Sequence, residues 1–233
     1  MKPPPLLDNQ VHVVTSRLDE LPPVSPEACL SADELVRAAR WQQPQDRDRF
    51  ICGRAWLRRT LATYLGMTPA SLTFEFGAHG KPALPPPHHG LQFNLSHSDD
   101  VALLAVSRAG RVGVDVEAVR RMADMAAIAR RHFAPAEWQR WSALAADQRV
   151  PAFYDCWTRK EAYVKAIGAG LLAPLDRFEV AFEPHRPPAL LSVDGSVGEA
   201  AQWNMWTLEP APGYRAAVIV HGTGLELLRV DHG

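Results

Sequence analysis

The sequence predicts an α+β fold organised as a pseudo-dimer, in which two similar α+β halves enclose a cleft. A long helical pattern, a strand, a proline-rich turn and further strands follow one another twice along the chain. A shift that places His79 on His185 also places Pro82, Ala83 and Leu84 on Pro188, Ala189 and Leu190. We therefore expect an N-terminal half over residues 1–111, a C-terminal half over residues 112–233, and a ligand site between them.

The first half opens with helical patterns. Residues 31–65 are expected to form two helices, interrupted at Pro44 and ended by Gly66. Strand patterns follow over residues 72–76, 91–95 and 101–107. The loop at residues 109–111 is expected to join the last of these to a strand over residues 112–116 as a hairpin.

The second half repeats this order after the acidic strand. Helical patterns cover residues 122–146, interrupted by Pro135, and residues 153–167, where Gly168 and Gly170 end the pattern. Strand patterns cover residues 178–182, 203–208 and 214–220.

Composition and charge exclude several classes of protein. The 233 residues are 47% hydrophobic and 22% charged, as in a globular chain with a substantial core. Lys and Arg number 25 and Asp and Glu 26, so the net charge of −1 gives no overall attraction to nucleic acid or an anionic membrane. No run approaches the ~20 apolar residues of a membrane span, and residues 1–5 lack the apolar core of a signal peptide. We expect a cytoplasmic protein with Cys29, Cys52 and Cys156 reduced and packed.

An acidic strand carries the first candidate site. In Val112–Glu117 the valines occupy even positions and the carboxylates odd ones, so the two-residue period of a strand places Asp115 and Glu117 on one face. Two carboxylates so placed repel each other unless a cation lies between them, and their oxygens suit Mg²⁺. The alternative is a solvated strand end.

The helix over residues 153–167 has a charge pattern that amphipathicity does not explain. Lys160 falls in the middle of the apolar face, where it either lays its stem over apolar surface with the ammonium in water or offsets a charged site. Glu161 and Lys165, four residues apart, would alone form a surface ion pair. Beside Asp115 and Glu117, however, Glu161 would supply a third carboxylate and Lys165 a compensating positive charge.

Basic and hydroxyl side chains predict a phosphate-rich ligand. Ser96 and His97 lie at the end of a strand pattern, and Lys81 lies in a Gly-Lys-Pro turn. Arginines, whose planar fork matches phosphate oxygens, are concentrated near the first long helix at Arg37, Arg40, Arg47, Arg49, Arg54, Arg58 and Arg59. Taken singly, the histidine can be structural and each arginine can belong to a solvated helix face. No GxxxxGK[ST], GxGxxG, HExxH or GxSxG segment is present, which excludes the common nucleotide, zinc-protease and hydrolase sites.

Four segments follow one another along the chain: Gly80–Pro82, Phe93–Ser98, Val112–Glu117 and Trp157–Lys165. In this order they resemble the signatures of the Sfp-type 4′-phosphopantetheinyl transferases. The chain length resembles the long, two-half form of these enzymes rather than the short trimeric holo-acyl-carrier-protein synthases. The resemblance implies the phosphopantetheinyl transferase fold with coenzyme A in the cleft. It also implies transfer of the phosphopantetheine arm to a serine hydroxyl of an apo acyl or peptidyl carrier protein, with release of adenosine 3′,5′-bisphosphate.

The resemblance further implies roles for single residues. The metal ligands for Mg²⁺, which Mn²⁺ can replace, would be Asp115, Glu117 and Glu161. Contacts to coenzyme A would come from Lys81, Pro82, Ser96, His97, Lys160 and Lys165, with Arg47 and Arg54 at the 3′-phosphate. Glu161 would take the serine proton, directly or through a metal-bound water, and Lys165 would neutralise phosphate charge. Glu137 is the second candidate base.

The expected protein partner is an acidic, helical carrier protein. Its docking surface is expected over Arg120–Arg140, a segment rich in arginine and apolar residues; the alternative is an amphipathic surface helix without a partner. The duplicated architecture leads us to expect a monomer. Two rival functions are a noncatalytic module that binds coenzyme A or a carrier, and a Mg²⁺-dependent hydrolase of a nucleotide pyrophosphate.

Overall fold

Two units of the same topology make up the fold. The computed structural model describes residues 3–20, 25–170 and 173–230. The helices are α1 (Ala32–Ala38), α2 (Pro44–Leu65), α3 (Met125–His132), α4 (Pro135–Ala143), α5 (Ala146–Ile167) and α6 (Val197–Ala200). The strands are β1 (Gln10–Arg17), β2 (Glu75–Phe76), β3 (Pro82–Ala83), β4 (Gln92–Ser98), β5 (Val101–Ser107), β6 (Val112–Ala118), β7 (Phe178–Val180), β8 (Leu190–Val193), β9 (Trp203–Leu208), β10 (Tyr214–His221) and β11 (Glu226–Val230).

The sheets confirm the predicted α+β pseudo-dimer. Strands β1, β5 and β4 are antiparallel neighbours in that order, and β6, β10 and β9 repeat the arrangement. Each unit also contains a 22-residue helix and a two-stranded ribbon, α2 with β2–β3 and α5 with β7–β8. Strand β11 then returns to the first sheet and pairs in parallel with β1.

Glycines end both long helices as the sequence predicts. Gly66 and Gly168 adopt left-handed conformations with φ of 65° and 69°, and each amide donates back into the last turn of its helix. Such a residue ends a helix because only glycine adopts positive φ at little cost. Helix α5 begins earlier than predicted, at Ala146, and contains Pro151 near its N-terminal end.

Among the described residues, the larger core clusters lie between a helix and a sheet or between the two sheets. Leu57 and Leu61 of α2 share a cluster with Leu104 of the first sheet. The inner faces of the sheets contribute aliphatic side chains to one cluster, including Val13, Leu103, Val114 and Val218. Tyr163 of α5 belongs to a third cluster with Ile219 of the second sheet. The layers therefore run helix, sheet, sheet, helix.

The expected hairpin between β5 and β6 is wrong. Strand β5 has β1 on one side and β4 on the other, so both of its edges are occupied, and β6 starts the second sheet by pairing with β10. The short loop at residues 109–111 therefore carries the chain from one sheet to the other. Within the described ranges, no helix is both long and apolar enough to cross a membrane.

Candidate active site

Two sheet edges meet where the units join. Strand β4 ends the first sheet and β6 ends the second, and the two run in the same direction. Side-chain oxygens of β4 accept the outward amides of β6, pairing Asn94 with Val114 (2.9 Å), Ser96 with Val116 (3.4 Å) and Ser98 with Ala118 (3.1 Å). These side chains satisfy the unpaired donors that an edge strand exposes.

The same serines hold the acidic side chains of β6. The Ser96 hydroxyl lies 3.0 Å from Oδ1 of Asp115, and the Ser98 hydroxyl lies 3.0 Å from Oε2 of Glu117. Both carboxylates therefore project from one face of β6, as the strand period predicts. Lys165 of α5 donates to Oδ1 of Asp115 at 2.6 Å and to the Ser96 hydroxyl at 2.8 Å.

Gly113 lets helix α5 approach the acidic strand. A Cβ at this position would clash with the carbonyl oxygen of Ala162 and lie 2.5 Å from the amide nitrogen of Ala166. Only a residue without a side chain permits this contact. The close packing brings Glu161 and Lys165, one helical turn apart, to the carboxylates of β6.

Burial raises the pKa values of all three carboxyls, and neighbouring negative charge adds to the rise for Glu117 and Glu161. Burial raises the pKa of Asp115, and Lys165 opposes that rise. Burial and then the charge of Asp115 raise the pKa of Glu117. For Glu161, burial acts first, followed by the charges of Asp115 and Glu117. The three carboxylates thus interact, although two are on a strand and one is on a helix.

The donor set suits a hard divalent cation, but the ligands are not gathered around one point. In the part of the chain that the structure describes, no three His, Cys, Asp or Glu side chains are grouped so that they could hold a metal ion. Lys165 instead pairs with Asp115. Buried Oδ2 of Asp115, however, has no hydrogen-bond partner among the described residues, and such an orphaned carboxylate oxygen fits a cation ligand.

A cavity of about 200 Å³ opens beside this cluster. Its lining comes from both halves: His79, Gly80, Lys81, Pro82, Asn94, Leu95, Glu161, Val164, Lys165, Gly168 and Gly170. Lys81 donates from its ammonium to the carbonyl oxygens of Val112 (2.8 Å) and Ala166 (2.9 Å). Burial, and then the charge of Arg111, lowers the pKa of Lys81 to about 8.

A second cavity, of about 270 Å³, borders Glu117. It is lined by Ser98, Glu117, Ala118, Arg120, Met122, Ile128, Phe153, Tyr154 and Trp157. Apolar side chains thus form most of one groove, whereas the first cavity carries Lys81, Glu161 and Lys165. The acidic cluster contributes residues to both.

His97 is exposed on β4, and Arg49, which the sequence analysis names only as one of seven arginines, lies nearby. Desolvation, followed by the charges of Lys165 and Arg49, lowers the pKa of His97. Arg49 also pairs with Asp100 at 2.9 Å, whereas the predicted Arg47 is exposed on α2. Helical periodicity places Arg49 one turn before the buried Gly53, on the side of α2 that faces the protein.

Lys160 and Glu137 lie in the core and not at the cleft, so the structure does not support their predicted roles as a coenzyme contact and a second base. Both are fully buried, and their charged atoms are 2.7 Å apart. The ammonium of Lys160 also donates hydrogen bonds to the carbonyl oxygens of Leu175 and Phe178. Glu137 accepts the amides of Ala134 and Val180. Both charged groups therefore have their hydrogen-bond partners within the core.

Arg54 is also committed elsewhere. Its guanidinium pairs with the buried carboxylate of Glu34, which Arg58 contacts at 2.6 Å, and it lies over the ring of Phe74. The structure therefore does not support the expectation that Arg54 binds a 3′-phosphate, because Glu34 already supplies its anionic partner.

Comparison with known proteins places the chain in a family. Residues 111–219 match the 4′-phosphopantetheinyl transferase superfamily, and residues 25–109 match the N-terminal region of a 4′-phosphopantetheinyl transferase. The 4′-phosphopantetheinyl transferase HetI of Nostoc sp. is 38% identical over 96% of this chain and 93% of its own length. Sfp of Bacillus subtilis is 27% identical over 81% of each chain. A holo-[acyl-carrier-protein] synthase structure from Thermotoga maritima has a TM-score of 0.38 at 23% identity, covering 48% of this chain and 62% of that one. This chain belongs to the 4′-phosphopantetheinyl transferase family.

Proposed function

We propose that this protein transfers the 4′-phosphopantetheine arm of coenzyme A to a serine hydroxyl of an apo acyl or peptidyl carrier protein. The observation that carries the proposal is the position of Glu161 and Lys165, which line a cavity together with residues of the first half. Lys165 also pairs with Asp115 of the acidic strand. Family membership gives independent support. Adenosine 3′,5′-bisphosphate is the second product.

We assign Asp115, Glu117 and Glu161 as the residues that would hold Mg²⁺, with Mn²⁺ as a substitute. When bound, the ion would neutralise charge on the pyrophosphate of coenzyme A. The orphaned oxygen of Asp115 and the mutual repulsion of the three carboxylates favour this assignment.

Residues of this chain would bind the nucleotide end of coenzyme A. Lys81, Pro82, Ser96, His97 and Lys165 are assigned to coenzyme A, with Arg47 kept as the proposed contact to the 3′-phosphate. The role of Lys165 is supported by its position in the cavity wall, where it supplies a positive charge. Such preorganised charge is generally the largest contribution to catalysis of this kind.

Glu161 is the proposed base. The serine oxygen attacks the phosphorus that carries the pantetheine arm, and the bond from that phosphorus to the bridging pyrophosphate oxygen breaks. The serine proton passes to Glu161, while the bridging oxygen leaves with adenosine 3′,5′-bisphosphate. Glu161 lines the cleft cavity beside Lys165, which supports this role.

The carrier protein is proposed to dock over Arg120–Arg140. Exposed Arg121, Arg130 and Arg131 supply positive charge on this segment, and Met122 is 37% exposed. An acidic partner suits such a surface. The apolar groove beside Glu117 is the proposed path for the pantetheine arm.

We further propose a monomer, with residues 1–111 serving the nucleotide and residues 112–233 serving the metal and carrier. A reducing, cytoplasmic location agrees with the unpaired state of Cys29, Cys52 and Cys156. No nucleic-acid partner is proposed, because the net charge is −1.

Mass spectrometry of carrier proteins tests the proposed function. The protein, coenzyme A and Mg²⁺ are incubated with several apo carriers, and the expected product is a carrier heavier by one phosphopantetheine. Binding of coenzyme A without a mass gain would indicate a binding module. Release of adenosine 3′,5′-bisphosphate with an unchanged carrier would indicate a hydrolase.

A further inference from the structure

We infer that Ser98 is a positioning residue that fixes the Glu117 carboxylate beside Asp115 for a divalent cation; this inference rests on the proposed function. The Ser98 hydroxyl accepts the amide of Ala118 at 3.1 Å and lies 3.0 Å from Oε2 of Glu117. A serine hydroxyl has one hydrogen, which is therefore directed to the carboxylate. The oxygen is held by the backbone of β6 and the hydrogen by a side chain of β6.

Ser98 differs from the other two members of this ladder. The side-chain oxygen of Asn94 accepts the amide of Val114 and is not bonded to a carboxylate. The hydroxyl of Ser96 also accepts a hydrogen bond from the ammonium of Lys165. Among the described residues, Ser98 is the hydrogen-bond donor to Glu117. It therefore controls the orientation of that carboxylate without belonging to the cluster of charges.

The repulsion inside the cluster gives this bond its importance. Asp115 and Glu117 lie two residues apart on the same face of β6, so their negative charges repel each other and favour rotation of an unrestrained Glu117 carboxylate toward water. The Ser98 hydroxyl opposes that rotation before a cation arrives. Removing an outer partner that orients a metal ligand typically weakens metal affinity by about 10- to 100-fold.

Three variants test the inference: Ser98→Ala, Ser98→Thr and, as a matched control, Ser107→Ala. The Ser107 hydroxyl also accepts an amide, that of Ala109 at 3.1 Å, and it donates to the carbonyl of Gln10 at 3.2 Å. Ser107 lies at the opposite end of β5 from the residue that faces Ser98. It therefore reports the general cost of losing a serine that bridges backbone groups.

Mn²⁺ binding in the presence of coenzyme A is measured by electron paramagnetic resonance, and hydrogen exchange of the Ala118 amide is measured without metal. Ser98→Ala should weaken Mn²⁺ binding by about 10-fold or more and accelerate exchange at Ala118, whereas Ser98→Thr should restore both. Ser107→Ala should bind Mn²⁺ like the unmodified protein even where its thermal stability falls.

Unchanged Mn²⁺ affinity in Ser98→Ala would overturn the inference, as would equal weakening in Ser107→Ala. The carrier mass gain of the unmodified protein is measured alongside. If transfer occurs but Ser98→Ala binds Mn²⁺ normally, only the role of Ser98 fails. If Ser98→Ala weakens Mn²⁺ binding but no carrier gains mass, the role of Ser98 stands and the proposed transferase function fails.

Discussion

The ammonium of Lys165 lies 2.6 Å from Oδ1 of Asp115, so helix α5 and the acidic strand are joined by an ion pair at the edge of the cleft. Lys165→Met removes this charge while keeping much of the side-chain length. We expect carrier modification to fall by about 100-fold or more, since a preorganised charge at the reacting group typically contributes that much. Initial rates of carrier mass gain measure the effect. Arg186→Met, at an exposed cation paired with Glu183, should leave the rate unchanged.

Glu161→Ala is expected to abolish transfer and to leave the fold intact. The substitution removes one of three carboxylates that repel one another, so the free energy of unfolding without metal should stay constant or rise. Urea unfolding and the carrier assay together measure the two effects. A variant that is active would remove Glu161 from the mechanism, and one that is unfolded would show that its charge supports the fold instead.

Gly113→Ala should lower both stability and transfer. The new methyl group clashes with the backbone of α5 at Ala162, so the helix must move away from β6 and carry Glu161 and Lys165 with it. The matched control is Gly198→Ala in α6, where a Cβ meets nothing within 4 Å. Thermal unfolding and carrier modification are compared for the two variants. Wild-type activity in Gly113→Ala would show that the close approach is not needed.

Local patterns predicted the parts of the site that lie within one element. The strand period placed Asp115 and Glu117 on one face, and the glycine at residue 168 ended α5, because both depend on neighbouring residues only. Local patterns could not predict whether β5 and β6 pair as a hairpin. That pairing depends on β1, β4 and β10, which compete for the same strand edges from distant parts of the chain.

Lys160 shows where such patterns fail for a single side chain. Its place on the apolar face was identified as anomalous, but the partner that explains it, Glu137, comes from another helix. A hydrophobic pattern gives the direction of a side chain and not its distant partner. The sequence therefore indicates that Lys160 is unusual but does not identify Glu137 as its partner.

The descending limb of the pH profile should depend on Lys81. Its pKa of about 8 lies below the ordinary 10.5, so the ammonium loses its proton near pH 8 and is fully charged only below that value. If Lys81 binds the nucleotide, kcat/KM for coenzyme A should fall as pH rises through about 8, since this ratio reports the free enzyme. Lys81→Arg should keep its charge and move the limb to higher pH. A limb that stays in place would exclude Lys81 as its cause.

The Glu137–Lys160 pair should stabilise the fold without serving the reaction. Both side chains are fully buried, so Lys160→Met leaves an uncompensated carboxylate and should cost about 3–5 kcal/mol of unfolding free energy. Glu137→Gln should cost a similar amount. The double variant should cost clearly less than the two single losses together, because no charge then remains unpaired. Urea unfolding of all four proteins measures this coupling. Carrier modification per folded molecule should stay close to that of the unmodified protein in the double variant; a large loss there would return one of the two residues to the catalytic machinery.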